Sequence, residues 1–153
     1  MTDASVSPIQ MSITVPLPPE RAFDLFTARI AEWWPLSGHS IFDERASGCF
    51  IEPFVGGRIY EQSSDGDEDA WGEVLAFDPP HRIALTWHPG GVPATRVEVR
   101  FTPADEGTFV ELEHLGWEVF GESAEEARAG YANGWPYVFT ERFGEAARMG
   151  AFG

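Results

Sequence analysis

The chain has 153 residues, 43% of them hydrophobic and 14% aromatic, and a formal net charge of −15. A chain of this length buries roughly two-thirds of its unfolded surface in a single core, so one domain over 1–153 is expected. Nucleic acid and anionic membrane surfaces are gripped through basic patches, and an acidic balance this strong excludes both as partners. Cys49 is the only cysteine, which rules out an intrachain disulfide and a thiolate metal cluster. There is neither a basic N-terminal region followed by an apolar run nor a stretch of about 18 apolar residues, so a cytoplasmic location is expected.

Met1 to Pro8 is polar and expected to fray. Ile9, Met11, Ile13 and Val15 alternate with polar residues, the pattern of a half-buried strand. Pro16, Pro18 and Pro19 stop it, and Pro19 suits the first turn of a helix over Glu20 to Ala28. Ile30 to Trp34 reads as a second short helix ended by Pro35, and Leu36 to Ala46 as a loop over the mouth of whatever follows. Six runs of strand character then succeed one another: Gly48–Phe54, Arg58–Gln62, Ala70–Phe77, His81–His88, Thr95–Phe101 and Thr108–Leu115. Turn residues separate them, including Val55-Gly56-Gly57 and Asp78-Pro79-Pro80. With the first strand this makes an antiparallel sheet of about seven strands, because the connections are short.

The last quarter returns to helical spacing. Tyr131, Trp135, Val138, Phe139, Arg142, Phe143 and Ala146 recur at three- and four-residue intervals, and Ser123 with Glu126 has the spacing of a capping box. Pro136 after Asn133-Gly134 predicts a break, with one helix from Ser123 to about Ala132 and the main one from Trp135. The fold class is therefore α+β, a sheet wrapped on a long terminal helix.

The ordered set Val55-Gly56-Gly57-Arg58, Trp71-Gly72-Glu73-Val74 and Asp78-Pro79-Pro80-His81-Arg82-Ile83-Ala84-Leu85-Thr86-Trp87 resembles the heat-shock protein 90 ATPase activator homologue family. Thr95-Arg96-Val97, Val110-x-Leu112-x-His114-x-Gly116 and Gly134-Trp135 fit the same pattern. The resemblance spans about residues 9 to 147. It implies the helix-grip fold of the START/Bet v superfamily, which includes polyketide cyclases: a curved antiparallel sheet gripping a C-terminal helix, with two short helices after the first strand.

Alternation along the strands selects the side chains that face this helix. Val97, Val99 and Phe101, then Ile83, Leu85 and Trp87, then Val110, Leu112 and His114 share the inner face. His114 stands where an apolar residue is expected. It reads either as a satisfied core histidine, the commoner outcome, or as a ligand donor or general base in the cavity. Glu61 shares the face of Ile59, so either it or Tyr60 points inward; an exposed Glu61 is favoured, and an inward one calls for Arg58, His114 or a ligand cation. Trp33 and Trp34 point roughly 100° apart in a helix, which sends one to the core and the other to the mouth. With His39, Trp71 and Trp87 they raise the chance of a flat apolar ligand, with Tyr131, Trp135, Val138, Phe139 and Arg142 as the helix side of its cavity.

Three functions are compatible with these residues. The first is a small hydrophobic or aromatic ligand bound between sheet and helix. The second is a cofactor-independent cyclase or dehydratase using His114 and Glu61, with Tyr60 or His39 assisting. The third, from the resemblance, is a co-chaperone module acting on a heat-shock ATPase. No metal-ligand spacing, phosphate loop or nucleophile elbow occurs, so neither cofactor nor metal is expected. A homodimer is compatible with all three.

Overall fold

The computed structural model describes residues 6–150. Strand β1 (Ile9–Val15) leads through the proline-rich link into α1 (Pro19–Phe26), which buries Ala22, Phe23, Leu25 and Phe26. Pro19 opens that helix as its spacing suggests, and the Thr27 hydroxyl closes it by donating to the Phe23 carbonyl at 2.7 Å. The expected second helix is only a single 3-10 turn, Ile30–Glu32, and the loop beyond it carries another at Asp43–Arg45. Pro35 and Gly38 lie too close behind Trp34 for a longer helix to form.

Six strands follow: β2 (Ala46–Ile51), β3 (Arg58–Ser63), β4 (Glu68–Asp78), β5 (Arg82–Trp87), β6 (Thr95–Ala104) and β7 (Gly107–Leu115). They form one antiparallel sheet in the order β1-β7-β6-β5-β4-β3-β2, so every neighbour except β1–β7 is a sequence neighbour. Register shifts between Ala46 and Gly48, Ile59 and Tyr60, and Val74 and Ala76 bend the sheet, as bulges do. Gly72 sits in this curved region, and a Cβ there would fall onto the Thr86 carbonyl oxygen of the facing strand. The inner face carries Ile83, Leu85, Val97, Val99, Phe101, Val110 and Leu112, all buried.

The terminal helix corrects two expectations. Ser123 ends a 3-10 segment (Trp117–Ser123), and its side chain makes no cap hydrogen bond, so the capping box does not form. Nor does Pro136 break the helix. Helix α2 (Ala124–Trp135) passes into a π-helical stretch, Pro136–Phe143, and on into α3 (Gly144–Gly150). Trp135 and Pro136 both keep helical backbone angles (φ −57° and −56°), and the wider π turns accommodate the missing N–H. Phe139 and Phe143 stack at 5.9 Å, Phe143 meets Phe26 and Trp33 at 5.2 and 5.1 Å, and Phe26 meets Phe101 of β6 at 5.9 Å, which joins helix, α1 and sheet in one core. Each such ring contributes on the order of 1.5–3 kcal/mol through burial.

The expected fraying of Met1–Pro8 lies largely outside the described residues. Ser7 and Pro8 are held, because the Arg128 guanidinium donates to both carbonyls at 2.6 and 3.1 Å.

Candidate functional site: an aromatic cavity under the terminal helix

Only Ala124 and Trp135 of α2 are fully buried, although the helix lies over the sheet. Its inner stripe, Ala127, Gly130, Tyr131 and Gly134, opens instead onto a cavity of about 560 Å³. Small residues there leave the helix too thin to reach the sheet, and a Cβ at Gly130 would touch nothing within 4 Å.

Trp34, Trp71 and Trp87 make the opposite wall, and Trp135 meets them from the end of α2. Trp34 lies 5.0 Å from Trp71, 5.9 Å from Trp87 and 6.1 Å from Trp135 between ring centroids, and Trp87 is 5.7 Å from Trp135. Val138 and Pro89 extend this surface, Glu126 stands at the edge, and Gly38, His39, Ser40 and Ile41 form the loop side. The loop over the mouth is thus where the residue order puts it. It is braced by the Trp34 indole N–H donating to the His39 carbonyl at 2.9 Å and by the Ser40 hydroxyl donating to the Leu36 carbonyl at 2.6 Å.

Of the residues singled out from the sequence, Trp34, His39, Trp71, Trp87, Tyr131, Trp135 and Val138 line the cavity together. Trp33 does not. Both neighbouring tryptophans are buried, at 1% and 8% exposure, and Trp33 turns into the core, where its N–H donates to the Leu25 carbonyl at 2.8 Å. Val99, Leu112 and Phe139 are core residues as well, filling space below the cavity. Tyr60 lies on the outer face under the Arg58 guanidinium, 4.1 Å from its ring centre, and is not available to assist in the cavity. Arg142 is exposed and donates to the Trp33 carbonyl at 3.2 Å, so it offers the cavity no charge.

Glu61 overturns the expectation of an exposed carboxylate. It is fully buried, and its compensation comes from neutral donors: the Ile41 and Phe42 backbone N–H groups at 2.6 and 2.9 Å, and the Trp71 indole N–H at 2.6 Å. With these bonds made, it stands behind the cavity wall as a structural acceptor and does not face into the space.

His114 is also fully buried and outside the lining. Its Nδ1 accepts from the Trp135 indole N–H at 3.0 Å, which puts the ring proton on Nε2. That N–H donates to the Thr95 hydroxyl at 2.7 Å, and Thr95 donates on to the Trp87 carbonyl at 3.2 Å. Burial pushes the His114 pKa down to about 3. Both ring nitrogens are occupied, which leaves neither free for acid–base chemistry and fits the satisfied core histidine.

The polar groups left to the cavity are few. Burial pushes the Tyr131 hydroxyl pKa up, and the nearby Trp87 indole N–H opposes that shift. This N–H makes no hydrogen bond of ordinary geometry, and neither does His39 Nδ1. His39 also meets the Tyr137 ring at 5.6 Å. Among the described residues no group of three His, Cys, Asp or Glu is placed to hold a metal ion, and no helix is long and apolar enough to cross a membrane.

Residues that sequence reasoning missed include Gly130, Gly134 and Ala127. Their signal was present as small residues at 127, 130 and 134 on the stripe that carries Tyr131 and Val138.

A curled seven-stranded antiparallel sheet around a long C-terminal helix, with a cavity between them, defines a helix-grip protein of the START/Bet v class. Residues 16–147 match the family described as activator of Hsp90 ATPase homolog 1-like protein, and the chain belongs to that family. The anthrahydroquino-gamma-pyrone synthase Txn09 is 35% identical over 94% of this chain and 99% of its own, with a TM-score of 0.63. Protein MLL2253 of Mesorhizobium loti shares the fold at 22% identity and a TM-score of 0.67, covering 90% of this chain and 94% of its own. CalU16 of Micromonospora echinospora does so at 22% identity and 0.58, covering 90% and 70%. No curated protein matches the chain at a significant level.

Proposed function

We propose that this protein binds a flat, aromatic small molecule in the cavity between the sheet and the terminal helix. The observation that carries this is the wall of Trp34, Trp71 and Trp87 around about 560 Å³ of space, opposite a helix that is thinned by glycine and adds Trp135 from its own end. Such a volume suits a drug-sized ligand, and stacked indoles favour a planar one. The 35% identity to an enzyme named for an anthrahydroquinone-derived pyrone supports the same class of ligand. Titration with hydroxylated anthraquinones and naphthoquinones, read by quenching of tryptophan fluorescence and by Tm, tests it. Saturable quenching with a raised Tm is expected; no quenching and no shift across the panel rejects the reading.

A second reading, cofactor-independent cyclisation, is favoured by one observation. The Tyr131 hydroxyl lines the cavity, stays protonated at neutral pH and lies near the Trp87 N–H, a suitable donor to a carbonyl oxygen. Closure of a 2-hydroxyaryl 1,3-diketone to a γ-pyrone with loss of water is the matching reaction. Mass spectrometry would show a product one water lighter, formed by the wild type and slowed in Y131F. Equal rates with and without protein reject it.

A further inference from the structure

Glu61 has no exposed surface, and among the described residues it forms no ion pair. A carboxylate in that position is tolerated only when donors fill its lone pairs. All three donors it has belong to the cavity's frame. Oε1 accepts from the Ile41 N–H and the Trp71 Nε1–H, and Oε2 accepts from the Phe42 N–H. Ile41 lies in the loop over the mouth and Trp71 in β4, and both line the cavity. One side chain on β3 thus ties the loop to the sheet and orients a wall indole with the same oxygen that holds the loop.

We propose that Glu61 is a positioning residue that sets the 36–45 loop against Trp71 and so governs how fast a ligand enters and leaves the cavity. The inference rests on the ligand-binding reading above. Lifting the loop strips two backbone N–H groups from a buried carboxylate and leaves the charge with one donor. That step is costly, and it must precede exchange through this side. The loop's other ties lie at its two ends. The Trp34–His39 and Ser40–Leu36 bonds brace its start. At its far end the Arg45 carbonyl accepts from the Ser64 N–H at 2.8 Å, while the Arg45 guanidinium reaches Asp65 at 3.2 Å. The stretch at Ile41 and Phe42 is thus held to the sheet through Glu61.

The test compares the wild type with Glu61→Gln, which keeps the size but replaces one oxygen by an NH2 group that turns a donor toward a donor. The probe is Nile red, a neutral planar dye. Amide hydrogen exchange at Ile41 and Phe42 is expected to quicken by about tenfold to a hundredfold, while amides of β5 and β6 keep their rates. Nile red association and release are expected to accelerate together, with little change in equilibrium affinity. Equal acceleration in β5 and β6 would mean that Glu61 only holds the fold. That result overturns the proposal, as do unchanged exchange at Ile41 and Phe42 or unchanged dye kinetics. Should Glu61→Gln fail to fold, Phe42→Pro deletes one donor and leaves the carboxylate intact; Phe42 has φ −81°, which proline adopts. Faster Ile41 exchange and dye release then support the proposal, and unchanged rates overturn it. A wild type that binds no Nile red counts against the ligand-binding reading alone, because exchange at Ile41 and Phe42 still decides the role of Glu61.

Discussion

The Trp135 indole N–H donates to His114 Nδ1 at 3.0 Å, so one bond fixes both the histidine tautomer and the seat of the terminal helix on β7. The imidazole is held neutral, its pKa lowered from 6.5 to about 3 by burial. In the unfolded chain it takes up a proton near 6.5, so between that value and about 3 the unfolded state binds more protons than the folded one. The stability His114 gives is therefore fully present above pH 6.5 and lost progressively as pH falls toward 3, on the order of 3–5 kcal/mol in all. Its ring-proton NMR shift should stay flat from about pH 8 to about pH 5, where an ordinary histidine titrates. A midpoint within that range would contradict the buried chain from Trp135 through His114 and Thr95 to Trp87.

Cys49 on β2 faces Glu61 in register, and burial, with that carboxylate second, pushes its thiol up to about 12. Only thiolate attacks a disulfide reagent, so native protein should react about a thousandfold more slowly than a free cysteine. Ellman's reagent, added with and without denaturant, gives the comparison. Rapid reaction of the folded protein would show Cys49 to be reachable.

Gly130 is a helix residue with open space beside it. Gly130→Leu should stabilise α2 by about 0.5–1 kcal/mol, raising Tm by about 2 °C, while its side chain occupies the cavity. Calorimetric titration with the tightest ligand found should show about a tenfold loss of affinity. Higher stability with unchanged affinity would place the ligand elsewhere.

Gly72→Ala should be far more damaging than its size suggests. Its Cβ would collide with the Thr86 carbonyl, so β4 and β5 would have to part where the sheet bends. A loss of about 3 kcal/mol, read from the urea midpoint, is expected. A wild-type midpoint would show that the strands yield easily.

Much of the scaffold was legible because strands and helices write their own period. Ile83, Leu85 and Trp87 alternate, and the sheet places them as the alternation requires. Glu61 was harder. Its alternation with Tyr60 was visible, but its direction depended on two backbone N–H groups about twenty residues away, which no local pattern encodes. Trp33, Val99, Leu112 and Phe139 were correctly inward, yet inward includes both core and cavity, and only the depth of packing separates them. Ser123 had the right spacing for a cap, but the 3-10 turn before it carries the backbone into the helix another way. At Pro136 the rule that proline breaks a helix gave way to a local widening of its turns.

That widening has a consequence for the phase of the whole helix. Tyr131, Trp135, Phe139, Phe143 and Ala147 recur every four residues, and all but the half-buried Tyr131 are fully buried. In an unbroken α-helix a four-residue step overshoots the turn by roughly 40°, and such a stripe would wind off the sheet within a few turns. The π stretch returns the lost angle in the middle, so the aromatic end over the cavity and the phenylalanine end in the core stay on one line. Removing a single residue between 136 and 143 would turn the two ends by roughly 100° against each other. The cavity wall and the core are geared through that stretch, and the chain can vary its residues there far more freely than their number.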